Sequence, residues 1–96
     1  MKRMTWFLIL TRRTPNFREE VVGEHRAYLR ELAGQGRLGL SGPFADGSGG
    51  AYLVRAADLE EARQTALADP LYARGASALT VKEWQTVEPE AYRGEA

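Results

Sequence analysis

Residues 5–11 read Thr-Trp-Phe-Leu-Ile-Leu-Thr, five large apolar residues in a row between two β-branched threonines. The composition predicts a strand, and the lack of alternation predicts one covered on both faces. A strand with one solvated face alternates apolar and polar positions. Lys2 and Arg3 precede this run, as basic residues precede the core of a signal peptide. The run is too short for such a core, and Arg12-Arg13-Thr14-Pro15 closes it without a small-residue cleavage site. It is also far too short to cross a bilayer. The expectation is a cytoplasmic protein with no membrane partner.

Outward from this strand, Pro15 breaks the chain and Asn16 is the expected cap of a helix over Phe17–Leu32. Glu19 and Glu20 fall in its first turn, where they complement the helix dipole. Steps of 100° put Phe17, Val21, Val22, Tyr28, Leu29 and Leu32 on one face. His25 lies inside that apolar arc, with Arg18 on the same side two turns upstream. Gly34 and Gly36 end the helix. A second strand is expected over Leu38–Ser41, leading into Gly42-Pro43-Phe44 and a glycine-rich loop that contains Asp46. A third strand is expected over Ala51–Arg55. A helix capped by Asp58 then runs to about Ala68, and Asp69-Pro70 ends it. A fourth strand follows over Ala78–Trp84. Residues 1–86 form one domain, and residues 87–96 read as a polar tail.

The order β-α-β-β-α-β is that of a ferredoxin-like α+β fold. Right-handed crossovers put both helices on one face of the sheet. The other face then has no cover within the chain, although the first strand is apolar on both sides. A homodimer through the helix-free face resolves that conflict.

Composition narrows the function. The chain has 96 residues, the length of a single domain, with 13 basic and 13 acidic side chains. That balance lacks the electrostatic footprint of a nucleic-acid binder. Without cysteine there is no disulfide, thiol nucleophile or cysteine-ligated zinc. One histidine cannot supply a histidine-rich metal triad, so no metal is expected. Gly47-Ser48-Gly49-Gly50 lacks the lysine of a phosphate-binding loop. Ser41 lacks the glycine frame of a nucleophile elbow.

Topology brings five features to one end of the sheet. They are Arg12-Arg13, the start of the first helix, Ser41-Gly42-Pro43-Phe44, Asp46 in its loop, and Asp69-Pro70. His25 lies below them, facing the sheet. A carboxylate beside an imidazole fixes its tautomer and stabilises its charged form, and such a pair moves protons near neutral pH. Plainer roles compete: Asp69 as a helix stop, Asp46 as a turn residue, Arg18 as a solvated edge, Trp6 and Phe7 as core, Tyr28 and Tyr52 as packing.

These residues in this order resemble the YCII-related family of small bacterial proteins. The matching features are Arg18 and His25, Tyr28-Leu29, Gly36-Arg37-Leu38, Ser41 to Asp46, Asp69-Pro70, Ala73-Arg74-Gly75 and Val81-Lys82-Glu83-Trp84. The resemblance implies a dimeric ferredoxin-like α/β barrel with a histidine–aspartate pair in a cleft. That pair maps to His25 with Asp69 as first choice of partner and Asp46 as second. One branch of the family eliminates hydrogen chloride from a chlorinated aromatic diol, and most members have no assigned activity. Two departures stand out: Val22 occupies a position where arginine is common, and Ser41 one where alanine is common.

The expectation is a cofactor-independent lyase or isomerase acting on a small oxygenated or anionic metabolite. His25 would move the proton and an aspartate would orient it. Arg12 or Arg18 would attract negative charge, and Ser41, Gly42, Pro43 and Phe44 would line the cleft. Two alternatives remain: a non-catalytic module binding a small molecule or protein, and a structural accessory protein with no ligand.

Overall fold

A computed structural model describes residues 3–94. The chain runs β1 (Thr5–Arg13), α1 (Glu19–Gly34), β2 (Leu38–Pro43), β3 (Gly49–Ala56), α2 (Leu59–Leu67), α3 (Pro70–Ala73), β4 (Ser77–Glu83) and α4 (Pro89–Arg93). The four strands form one sheet in the order β2-β3-β1-β4, and every pairing is antiparallel. This is the ferredoxin-like α+β arrangement.

Strand β1 is central and pairs on both sides. Its odd residues Phe7, Ile9 and Thr11 are buried, whereas Trp6, Leu8 and Leu10 are only half-buried. The buried set packs with Tyr52, Val54 and Ala56 of β3, Leu32 of α1, and Ala62 and Ala66 of α2. Full burial of side chains such as Phe7 and Ile9 contributes roughly 1.5–3 kcal/mol each. The small alanines of α2 let that helix approach the sheet closely. A second cluster joins Val21 of α1, Leu71 of α3 and Ala76, with Phe17 packed against it.

Trp6, Leu8 and Leu10 lie on the helix-free face beside Leu53. A side chain at Gly39 would collide there with the Trp6 ring and Leu53, at 2.9–3.0 Å. The Arg55 guanidinium stacks on the Trp6 ring at 4.7 Å. Trp6 therefore belongs to the open face, while Phe7 is core.

Several boundaries differ from the sequence reading. The cap position of α1 is Arg18, which makes no side-chain cap hydrogen bond, whereas the Asn16 amide donates to Thr14 Oγ1. Asp58 does cap α2, accepting from the Glu61 amide. Asp69-Pro70 ends α2 and also begins α3: Asp69 is the cap and Pro70 the first helical residue. The short helix α4 forms within the expected tail. Among the described residues, no helix is long and apolar enough to cross a membrane.

Strand β2 carries a register shift between Leu38 and Ser41. Leu38 opposes Val54, but Ser41 opposes Tyr52, so β2 has one extra residue in this stretch. The bulge leaves Leu40 exposed and turns Ser41 to the helix side. The irregularity therefore delivers a polar side chain to the region above Tyr52.

Candidate active site

A cleft of about 310 Å³ opens between α1 and the upper end of the sheet. Its helix wall includes Val22, His25, Arg26 and Leu29. Its floor includes Thr11, Arg13, Tyr52 and Ser77, with Ser41, Gly42 and Pro43 along one rim. Gly49 and Gly50 also line it. Gly49 has φ +157°, and a Cβ there would lie 1.8 Å from the Thr11 carbonyl oxygen. Only glycine fits where β3 begins beneath the cleft.

His25 lies on the apolar face of α1, and its side chain is mostly buried. Its Nδ1 lies 3.0 Å and 2.9 Å from the two carboxylate oxygens of Asp69. Asp69 is fully buried. It also accepts hydrogen bonds from the Tyr52 hydroxyl at 2.7 Å and the Leu71 amide at 2.9 Å. A carboxylate has only acceptors, so the shared proton with His25 resides on Nδ1. Nε2, on the other edge of the ring, has no hydrogen-bond partner among the described residues, and His25 is part of the cleft lining. The elements explain the geometry. Capping α3 places Asp69 beneath the imidazole, and Pro70 fixes the turn that holds it there.

Tyr52 belongs to the same network. Its ring lies 5.7 Å from the His25 ring, tilted by 58°. Burial raises its pKa strongly, and the adjacent Asp69 charge and hydrogen bond push it in the same direction. Burial likewise raises Tyr28, whose hydroxyl donates to the Thr65 carbonyl at 2.7 Å. Both phenols hold their protons above the ordinary value of 10.0 in the folded chain, Tyr52 the more strongly. A proton bound more tightly in the folded than in the unfolded state stabilises the fold only below the unfolded value, and that stabilisation is lost as pH rises beyond it. Stability is therefore expected to hold up to about pH 10 and then fall. Tyrosine absorbance titrated alongside circular dichroism checks this. Tyr52→Phe should flatten the alkaline decline, and ionisation of Tyr52 without loss of structure would contradict it.

The structure brings together His25, Asp69, Ser41, Gly42 and Pro43. It does not bring Asp46, Arg12, Arg18 or Phe44 to the cleft lining. Asp46 accepts from the Ser48 amide at 2.9 Å within its own exposed turn. The Ser48 hydroxyl and amide hold its carboxyl below the usual range. Arg12 has the even parity of β1 and falls on the helix-free face, so the cleft receives Arg13 instead. Arg18 lies at the helix start, 3.5 Å from Glu20, and remains largely exposed. Phe44 sits past the end of β2 and is 43% exposed.

Sequence reading placed Arg12-Arg13 at this end of the sheet but chose Arg12 for the ligand, and it passed over Arg26, Ser77 and the Tyr52 hydroxyl. Tyr52 shares the inward parity of Val54, so a cross-sheet partner for its hydroxyl was the available signal. Among the described residues, no group of three or more His, Cys, Asp or Glu is placed to hold a metal ion.

Comparison with known proteins agrees with this architecture. The sequence profile of the YCII-related domain matches residues 5–85. The uncharacterised protein YjpA of Bacillus subtilis (strain 168) is 48% identical over 82 residues, spanning 85% of this chain and 96% of that protein. A solved structure of 5-chloro-2-hydroxyhydroquinone dehydrochlorinase from Burkholderia phenoliruptrix AC1100, in complex with 2,5-dihydroxybenzoquinone, superposes with a TM-score of 0.73. That match covers 86% of this chain and 96% of the other, at 23% identity, and it speaks to the fold.

Proposed function

The chain belongs to the YCII-related domain family, and on that premise we propose that it is a cofactor-independent lyase or isomerase. It acts on a small hydroxylated ring or carboxylate, with His25 as the proton-transfer group. The observation that carries this reading is the His25 Nδ1–Asp69 contact of 2.9–3.0 Å, which leaves Nε2 for a ligand in the adjacent cleft. Asp69 stabilises the imidazolium that forms when Nε2 takes a proton. Tyr52 and the Leu71 amide position that carboxylate.

The chemistry needs no external electron acceptor. Nε2 removes a proton from a ring hydroxyl and returns it to a ring carbon, which is an isomerisation. If that carbon carries a halide, loss of a second hydroxyl proton expels the halide with its bonding pair. The net change is then loss of one hydrogen halide, and the ring becomes a quinone. The architecture shared with a dehydrochlorinase supports this substrate class. The assay is turnover of 5-chloro-2-hydroxyhydroquinone, and of its unchlorinated analogues, across a pH series. Catalysis through the His25 imidazole makes the rate depend on pH, whereas simple binding involves no turnover. Binding without turnover of any of these compounds would favour a non-catalytic binding module of the same fold.

The helix-free face, with Trp6, Leu8, Leu10 and Leu53, supports a homodimer that closes two sheets into one barrel. Leu8→Glu is expected to convert the dimer to monomer, because it places a charge within the proposed apolar interface. Multi-angle light scattering reads this directly. A stable monomer of the unsubstituted protein at micromolar concentration would overturn the assembly.

A further inference from the structure

The cleft has a charge character that the whole chain lacks. Overall the basic and acidic residues balance. The lining, however, carries Arg13, Arg26 and His25 and no Asp or Glu. The nearest carboxylate, Asp69, sits behind His25 with its oxygens already occupied. Among the described residues, neither Arg13 nor Arg26 has a carboxylate partner, whereas Arg18, Arg37 and Arg74 each do. Arg13 is held by packing instead, with its guanidinium 4.0 Å from the Phe17 ring centroid. Stacking on an aromatic face orders the guanidinium and leaves its N–H donors unspent.

A second observation concerns Ser77. This residue is 4% exposed, and it lines the same cleft. Among the described residues its hydroxyl has no hydrogen-bond partner, yet it is not sealed in the interior. What exposure remains therefore meets the cleft. Ser77 is also directly opposite Arg13 in the β1–β4 pairing. Opposed residues on one face of an antiparallel pair have Cβ atoms about 5 Å apart. A nearly buried hydroxyl without a hydrogen bond and an arginine without a carboxylate partner thus stand opposite each other in the cleft lining.

We propose that Arg13 and Ser77 form an anion subsite that makes the cleft selective for ligands carrying a carboxylate or phenolate. Arg13 gives charge-assisted hydrogen bonds to that group, in the bidentate geometry a guanidinium offers a carboxylate. Ser77 donates a third hydrogen bond from below. Arg26, on the opposite wall, adds positive potential, and the uncharged part of the ligand lies toward His25. This rests on the cleft being the ligand site proposed above, but it concerns affinity and not proton transfer.

The test is calorimetric binding of 2,5-dihydroxybenzoate and its neutral counterpart 2,5-dihydroxybenzamide to the full chain. The acid is expected to bind about tenfold or more tightly than the amide, the range of charge-assisted hydrogen bonds. Arg13→Gln should abolish that preference while leaving the amide's affinity unchanged, which also shows that the variant is folded. Ser77→Ala should weaken the acid by roughly threefold to tenfold. Arg12→Gln, on the other face, should change nothing. His25→Ala should keep the acid preference even where it removes turnover, which separates this subsite from the proton-transfer role. Equal binding of acid and amide, an Arg13→Gln variant that retains the preference, or no binding of the acid to the unsubstituted protein would each overturn the proposal.

Discussion

Asp69→Ala is expected to destabilise the chain by about 3–5 kcal/mol, because it strips the acceptor from three buried or half-buried donors at about 1–3 kcal/mol apiece. Asp69 is fully buried and satisfies three donors at once: His25 Nδ1, the Tyr52 hydroxyl and the Leu71 amide. Truncation leaves all three without an acceptor, and each orphaned buried donor carries its own desolvation penalty. It also removes the cap of α3, the helix that links the end of α2 to β4. Small domains have only about 5–15 kcal/mol of total stability, so the loss consumes a large share of it. Urea denaturation gives the value. Asp69→Asn keeps an acceptor for the Leu71 amide and the same shape, so its destabilisation should be clearly smaller. It should still impair proton transfer, because a neutral amide does not stabilise an imidazolium. A change within about 0.5 kcal/mol for Asp69→Ala, the range of ordinary surface substitutions, would show that the network is not a structural keystone.

His25→Ala is expected to lower turnover by roughly a hundredfold to ten-thousandfold, the usual contribution of a positioned general acid or base. Its effect on folding should be much smaller than that of Asp69→Ala. The Asp69 carboxylate keeps two donors, and the His25 side chain itself is 16% exposed. The two substitutions therefore separate: Asp69→Ala is principally a stability change, His25→Ala principally a rate change. The measurement is the pH-dependence of steady-state turnover on 5-chloro-2-hydroxyhydroquinone for both proteins, alongside their denaturation midpoints. The part of the pH-dependence that His25 contributes should vanish in the variant. If His25→Ala turns substrate over at the original rate with the original pH profile, proton transfer is assigned to the wrong group.

Much of the fold was legible because its signals are local. Proline and glycine punctuate the chain at Pro15, Gly34, Gly36 and Asp69-Pro70. The 3.6-residue spacing on α1 set the apolar face, and His25 emerged within it. Element order and the handedness of crossovers then gathered the loops at one end of the sheet. The missed details were also physical. Asn16 was a plausible cap by residue type, but the Thr14 hydroxyl takes its amide and the helix starts later. The bulge in β2 had one sign in the sequence, Gly39 within the strand, but glycine does not say which side chain is re-aimed, and here Ser41 crosses the sheet to face Tyr52.

The sequence by itself determined that one strand is apolar on both sides, that one histidine lies on the apolar face of its helix, and that two aspartates compete to be its partner. It could not choose between Asp46 and Asp69, since both flank turns at the same end of the sheet. The tertiary structure chose by burial: Asp69 lies under the imidazole with three donors, whereas Asp46 closes its own exposed turn. The sequence was equally silent on Arg12 against Arg13. In a run where every residue from Trp6 to Leu10 is apolar, no alternation reveals which parity meets the helices. Packing of Phe7 and Ile9 against α1 and α2 settles it, and the same parity carries Thr11 and Arg13 into the cleft.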